Sequence, residues 1–521
     1  FWLKPFWLNA FDSTCQVGSS VRSHRGSAQL ETHAMDVELC AANQVSEELG
    51  SRSTDARSWQ SQHLSVPTSI ISEVYGPEAA TFALQDTTKA AESWLEAPDA
   101  KIAPGAAAGL NGSAATSFTL ASAIMGVSMV SLPLVCATLG VWLYTLLMSA
   151  SCMMSWLTCS LMVHGSRNAP EKTFIALGGA AFGETGARAA TSVLLAQTLS
   201  TLVAFLVLTK SMSPTLLAGV GESNGGSDAD MSAKAAALMA FCVLFLVLPL
   251  SMLKDIRALG PACFAAVGMF IFLVATLVAM AMRRIAMEGA GALTGLRFEC
   301  VAVADVLRRC PTLLFAFACH PTALPIYAGL RDGTPQRMDR ISATSFAACL
   351  AMYLLCGIGG CVAFRGALEG KDSVLEAFAP GVLTWCLQVA MVLAVLLGYP
   401  CVAFSTRKEL MYVLYGKHGK WTFARHTGVT IGIVGFTFGI ALAVPDLTTA
   451  FAWIGATVSV VMSFLFPAAA FMWMWPQLPK SRTMAMRVVC ARIVAFAGLL
   501  IVCVCVANNL TSSASPTAET A

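Results

Sequence analysis

Two short stretches of the chain carry residue types that a buried binding site would use. The first is Ser117–Pro133, with Gly126 near its middle, Ser122, Ser128 and Ser131 around it, and Pro133 at its end. Interrupting a helix there frees peptide N–H and C=O groups, which are tolerated away from water only where they line a cavity or meet a ligand. The second stretch is Phe315–Tyr327, FAFACHPTALPIY. Pro321 has no N–H and crowds the preceding turn, so a helix is expected to break near Cys319–Pro321. A half-helix that starts after a break turns its positive end inward, and free N–H groups at Gly126, Val127 and Ser128 suit a carboxylate. Ser122 and Met125 flank the first break, and Phe317, Cys319 and His320 flank the second. The competing reading is a seam of small residues that packs helices together.

Few other polar side chains stand inside apolar sequence. Gln197, His320 and Gln388 do, whereas Asp, Glu, Lys and Arg cluster at the ends of apolar runs. A pocket without fixed side-chain charge favours a solute whose charges are its own amine and carboxylate. His320 is the one such group able to titrate near neutrality, as a proton carrier or as a neutral ring bonded to backbone that Pro321 exposes. Catalysis has no comparable support: the chain shows no nucleophile elbow, phosphate loop or metal cluster.

The elements that must position these residues follow from composition. Hydrophobic residues make up 56% of the chain and charged residues 12%, against roughly 25% charge in soluble domains. Such a chain needs lipid. A crossing takes about 20 apolar residues in a helix, and eleven runs qualify: 117–140, 141–163, 190–210, 233–253, 259–282, 310–330, 341–364, 381–406, 427–446, 450–475 and 487–507. The expected fold is an all-α multispanning membrane domain over 111–507. Glycines 428, 432, 435 and 439 in the ninth run read as a close-packing face.

Residues 1–110 hold thirteen acidic and seven basic residues and little apolar sequence, so they read as a disordered tail. The aromatic start FWLKPFWLNAF is a candidate membrane-surface contact, and a chain beginning at Phe1 rather than Met reads as a fragment. With the N-terminus cytoplasmic, inside loops carry sixteen Lys and Arg against nine outside, which favours that orientation despite Arg283 and Arg284 on the wrong side. Residues 508–521 then form a short non-cytoplasmic tail with a glycosylation sequon at Asn509. Most of the eighteen cysteines stand singly in apolar helices as small hydrophobes; Cys300 and Cys361 could meet on the non-cytoplasmic side, but free thiols are expected over that pairing.

Four ordered segments carry a resemblance: Phe118–Pro133, Pro249–Leu259 (PLSMLKDIRAL), Phe315–Tyr327 with Arg337-Met338 and Met352-Tyr353-Leu354-Leu355 after it, and Val444–Pro467 (VPDLTTAFAWIGATVSVVMSFLFP). From about residue 117 to 475 the chain resembles the amino acid/auxin permease family, especially its sodium-coupled neutral amino acid transporter branch. The resemblance implies a LeuT-like five-plus-five inverted repeat with discontinuous spans 1 and 6, alternating access, and an amino acid as substrate. It adds weight to the carboxylate assignment at Gly126, Val127 and Ser128 and to a role for His320; Ser122, Met125, Gln197, Phe317 and Cys319 complete the candidate substrate-site residues.

The chain departs from that branch where a coupling ion would sit. The branch usually has Asn after the Phe of span 1, and here Thr119 follows Phe118; a Thr is expected in span 8, where this chain reads Ala394-Val395-Leu396-Leu397-Gly398-Tyr399-Pro400. Thr119, Ala123, Leu396 and His320 mark the doubtful ion site. Leu396 brings no side-chain oxygen, so proton-coupled or uncoupled transport of neutral amino acids is expected over sodium coupling. No cofactor and no nucleic-acid partner is expected. The expected location is the plasma membrane or an endosomal or vacuolar membrane. The rival reading is an amino acid sensor that signals to cytoplasmic partners through the tail.

Overall fold

The computed structural model describes residues 113–514, apart from 170, 220–227, 254–259, 294–300, 331–332, 380, 416–421 and 478–480. The expected tail over 1–110 and Cys300 lie outside the described residues. Every regular element among the described residues is helical, as a backbone surrounded by lipid requires.

The first expected span is broken. Helix α1 (Ser113–Ile124) stops, Met125 and Gly126 are non-helical, a 3₁₀ turn covers Val127–Ser131, and α2 (Leu132–Leu139) follows. The two limbs are bent by 57°. Helix α3 (Val141–Gly165) follows after Gly140, whose φ of 77° makes the tight corner. Helix α4 (Phe174–Gly219) starts well before the expected 190 and contains a reversal at Phe182–Gly183, where Gly183 has φ 66°. There Gly178 and Gly186 come so close that a Cβ on Gly186 would meet the Gly178 carbonyl at 2.2 Å. Glu184 and Arg188 on that stretch masked its helical character in the sequence.

Helix α5 (Asp228–Cys242) runs through a π-helical turn at Val243–Val247 to Ser251. Helix α6 (Gly260–Glu288) outlasts the expected span by a turn and more, which carries Arg283 and Arg284 on helix. Arg284 there pairs with Glu288 at 3.0 Å and donates to the Ala363 carbonyl. Helices α7 (Val303–Ala316) and α8 (His320–Ala328) form the second broken element. Then come α9 (Pro335–Phe364), α10 (Val382–Tyr415), α11 (Phe423–Ala443), α12 (Leu447–Ile454), two π-helical turns, α13 (Phe466–Met474) and α14 (Arg482–Ala514).

Among the described residues nine helices are long and apolar enough to cross a membrane, and the bent α1–α2 pair makes a tenth. The one remaining expected span, the sixth at 310–330, falls on α7 and α8, whose prolines and His320 dilute its hydropathy. The packing of α9 shows that this element crosses as well. Ser345 bonds Ser117, Cys349 bonds Ala121, Tyr353 bonds Ile124 and Cys356 bonds Met129, so the two chains run parallel. Parallel neighbours need an odd number of crossings between them. Helices α3 to α6 supply four, and α7–α8 must supply the fifth.

Two expectations are corrected. A Cβ on Gly428, Gly432, Gly435 or Gly439 of α11 would meet nothing within 4 Å, so this stripe is not a packing face among the described residues. Asn509 lies on α14, which extends past 507; it is buried and donates to the Ala452 carbonyl at 3.0 Å, so its amide is engaged rather than held out for a glycan. Cys361 is a buried free thiol beside Cys136.

Candidate functional site

Gly126 ends the first limb in an extended conformation, φ −153° and ψ −170°. The chain re-enters helix as a 3₁₀ turn, and the first N–H groups of any helix have no partner within it. Met129 donates to the Gly126 carbonyl at 3.2 Å, whereas no hydrogen bond from the N–H of Gly126, Val127 or Ser128 is found among the described residues. Val127 and Ser128 are buried. A Cβ on Gly126 would have room, with the Ile124 carbonyl nearest at 3.9 Å. Neither sterics nor φ therefore demands glycine here, and close approach by something other than the protein would.

At the second break α7 ends at Ala316, Phe317–Cys319 form a tight turn, and α8 begins at His320 with Pro321 in its first turn. Cys319 donates to the Phe317 carbonyl at 2.9 Å, and Ala318 to Phe315 at 3.1 Å. The break thus falls two residues earlier than Pro321 itself, because proline is welcome in a helix's first turn. Phe317 is fully buried between the rings of Phe346 and Tyr353. His320 is fully buried too. Its Nε2 lies 2.8 Å from the Thr158 hydroxyl, which spends its own proton on helix carbonyls of Met154 and Ser155. The Thr158 oxygen accordingly accepts from Nε2–H, and Nδ1 is left without a partner. Phe464 stands edge-on to the ring.

One side chain joins the breaks. The Tyr353 phenol lies 2.8 Å from the Ile124 carbonyl and 3.0 Å from the Ala316 carbonyl, the last acceptors of α1 and α7. Tyr144 in turn donates to the Tyr353 carbonyl at 2.7 Å, in a contact open because Gly357 has no side chain. The sequence carried a signal for this role: Ser345, Cys349, Tyr353 and Cys356 form one polar stripe on an apolar helix, at spacings that share a face.

A lid covers the first break. The connection after α9 folds into a 3₁₀ turn at Val374–Ala377 that packs against the Val127–Ser131 turn, with Ser373, Val374 and Leu375 fully buried. Burial pushes the Asp372 and Glu376 carboxyls of this connection above the usual range, and Asp446 adds to the effect at Asp372.

The remaining expected residues do not converge on the breaks by hydrogen bonding. Thr119 donates back to Ala115 and Ser122 to Thr119, both within α1. Ala123 is exposed and Leu396 buried. Gln197 accepts from Ser459 at 3.0 Å. Two groups went unnoticed in the sequence. Arg407, fully buried, donates to the Ser251 and Leu253 carbonyls, and His426 Nε2 lies 3.1 Å from Met252, so α10 and α11 hold the end of the PLSML segment. Asp339 accepts from Ser160, His164 and Arg487, which ties the ends of α3, α9 and α14 together.

Comparison with known proteins places these features in context. A family model described as transmembrane amino acid transporter protein matches residues 112–511. Sodium-coupled neutral amino acid transporter 4 of Rattus norvegicus is 32% identical over 167 residues, covering 31% of this chain and 30% of that protein. The protein of the same name from Mus musculus matches at 32% identity over the same length. The match therefore spans under a third of the length of these curated relatives.

Proposed function

The chain belongs to the transmembrane amino acid transporter protein family, and from that premise we propose that it carries neutral amino acids across the bilayer by alternating access, with proton-coupled or uncoupled movement favoured over sodium coupling. The observation that carries this reading is the pair of broken spans, five crossings apart, whose free carbonyl ends meet on Tyr353. In this reading the substrate carboxylate binds the N–H groups of Gly126, Val127 and Ser128, where a helix start supplies donors and positive potential. Met125 and Ser122 border it, and Phe317 with Cys319 forms the wall from the second break. The relatives' printed name supports a neutral amino acid as cargo. Leu396 and the self-bonded Thr119 offer sodium little, which supports the proton or uncoupled mode. His320 is the proposed proton carrier in the coupled mode, through its unpartnered Nδ1.

Radiolabelled uptake into proteoliposomes with a panel of amino acids, with and without sodium and pH gradients, tests all of this. Saturable uptake of a small neutral amino acid that survives sodium replacement is expected. Uptake that vanishes with sodium would overturn the coupling assignment, and no uptake of any member of the panel would overturn the function.

A further inference from the structure

We propose that the cavity where α3 ends and α9 and α14 begin binds a phosphate-bearing anion, of the kind presented by a lipid headgroup or by free phosphate. The cavity measures about 350 Å³ and is lined by His164, Arg167, Gln336, Ser481, Thr483 and Arg487 among others. Two guanidinium groups thus face it. The nearest opposing charge, Asp339, is already engaged by Ser160, His164 and Arg487. Arg167 at the rim is exposed and makes no ion pair among the described residues.

Backbone potential has the same sign. Gln336 is the second residue of α9 and Thr483 the second of α14, so both helices turn their N-termini toward this end. Thr334 caps the N–H of Arg337 and Ser481 that of Met484, so only the outermost N–H groups of each start, at Gln336 and at Arg482 and Thr483, remain to favour an anion. His164 on the cavity wall is 4% exposed and donates Nε2–H to Asp339 at 2.9 Å, so with Ser160 and Arg487 it keeps that carboxylate on the protein's own donors. Three membrane-crossing helices end here, which puts the cavity at headgroup depth, where basic pockets between spans hold lipid phosphates.

The test uses the full chain purified in detergent, with its thermal unfolding followed during titration by three probes. These are inorganic phosphate, a short-chain phosphatidylinositol phosphate, and phosphatidylcholine of the same chain length. Saturable stabilisation by the phosphoinositide but not by phosphatidylcholine is expected, and comparable saturation by inorganic phosphate would assign the anion to the soluble pool. Arg167→Gln should raise the apparent Kd about ten-fold, the effect of one charge-assisted hydrogen bond. Thr483→Val, which leaves both arginines in place, should raise it about three-fold by removing one neutral donor. If neither phosphate probe saturates, or if both variants fold and bind as the unaltered chain does, the site does not exist.

Discussion

The two broken spans reach the same outcome by different chemistry. The first is opened by Gly126 and leaves donors unused: three successive N–H groups face no protein acceptor among the described residues. The second is opened ahead of Pro321 and is filled from within, with Phe317 packed between rings and His320 tied to Thr158. One break leaves donors without a partner among the described residues, and the other is closed by its own side chains. Within a bilayer an unsatisfied peptide group has no water to fall back on. The first break should therefore be sensitive to anything that competes with a ligand, and the second to anything that alters packing.

Tyr353→Phe should have the largest effect, because it acts on both breaks at once. The phenol is the shared donor for the end of α1 and the end of α7. Removing it leaves two buried carbonyls without this partner, at about 1–3 kcal/mol for an unsatisfied group. Initial uptake is expected to fall by more than about ten-fold, with a lower unfolding temperature. Tyr144→Phe, which touches only the Tyr353 carbonyl, should do less. Equal effects of the two changes on uptake would mean that the shared donor does not couple the breaks.

Both breaks were legible in the sequence, since Gly126 among serines and Pro321 act on the backbone locally and need no distant partner to do so. What holds the breaks was not. Tyr353 and Ile124 are 229 positions apart, and nothing in either neighbourhood names the other. The same applies to Asp339, whose partners come from α3 and α14. Arg407 follows the expected span 381–406 directly, and its burial depends on carbonyls of a helix end more than 150 positions earlier. The glycine stripe on α11 shows the reverse error. Its spacing is a packing pattern, yet pattern alone does not say whether a neighbour in this chain occupies the face.

Gly126→Ala separates ligand from fold at the first break. A Cβ there meets nothing closer than 3.9 Å and the backbone is extended, so the unfolding temperature should hold or rise slightly through the reduced freedom of the unfolded chain. If a carboxylate approaches these N–H groups, KM should still rise about ten-fold, one hydrogen bond to a charged group. Unchanged KM with unchanged stability would remove Gly126 from the substrate site. Pro321→Ala should behave in the opposite way, since restoring an N–H lets α8 draw closer to α7. The turnover should then drop several-fold with KM little altered. A shift in KM alone would show that the second break contacts substrate as directly as the first.

The smallest effect is expected from the lid over the first break, and its sign distinguishes the two regions again. Asp372 and Glu376 have folded-state pKa values raised by burial, so each favours the protonated form in the native chain more than in the unfolded one. A carboxyl raised in this way contributes stability that is full below its unfolded pKa, about 4, and is lost as pH rises through its folded pKa. Moving from neutral pH towards mildly acidic pH should then tighten the Val374–Ala377 turn against Val127–Ser131. In the double variant Asp372→Asn with Glu376→Gln this gain should shrink, and stability at neutral pH should rise. Hydrogen exchange of Val374 and Leu375 as a function of pH reads the lid directly. Protection, taken relative to the intrinsic exchange rate at each pH, that rises on acidification equally in both proteins would assign the pH response elsewhere.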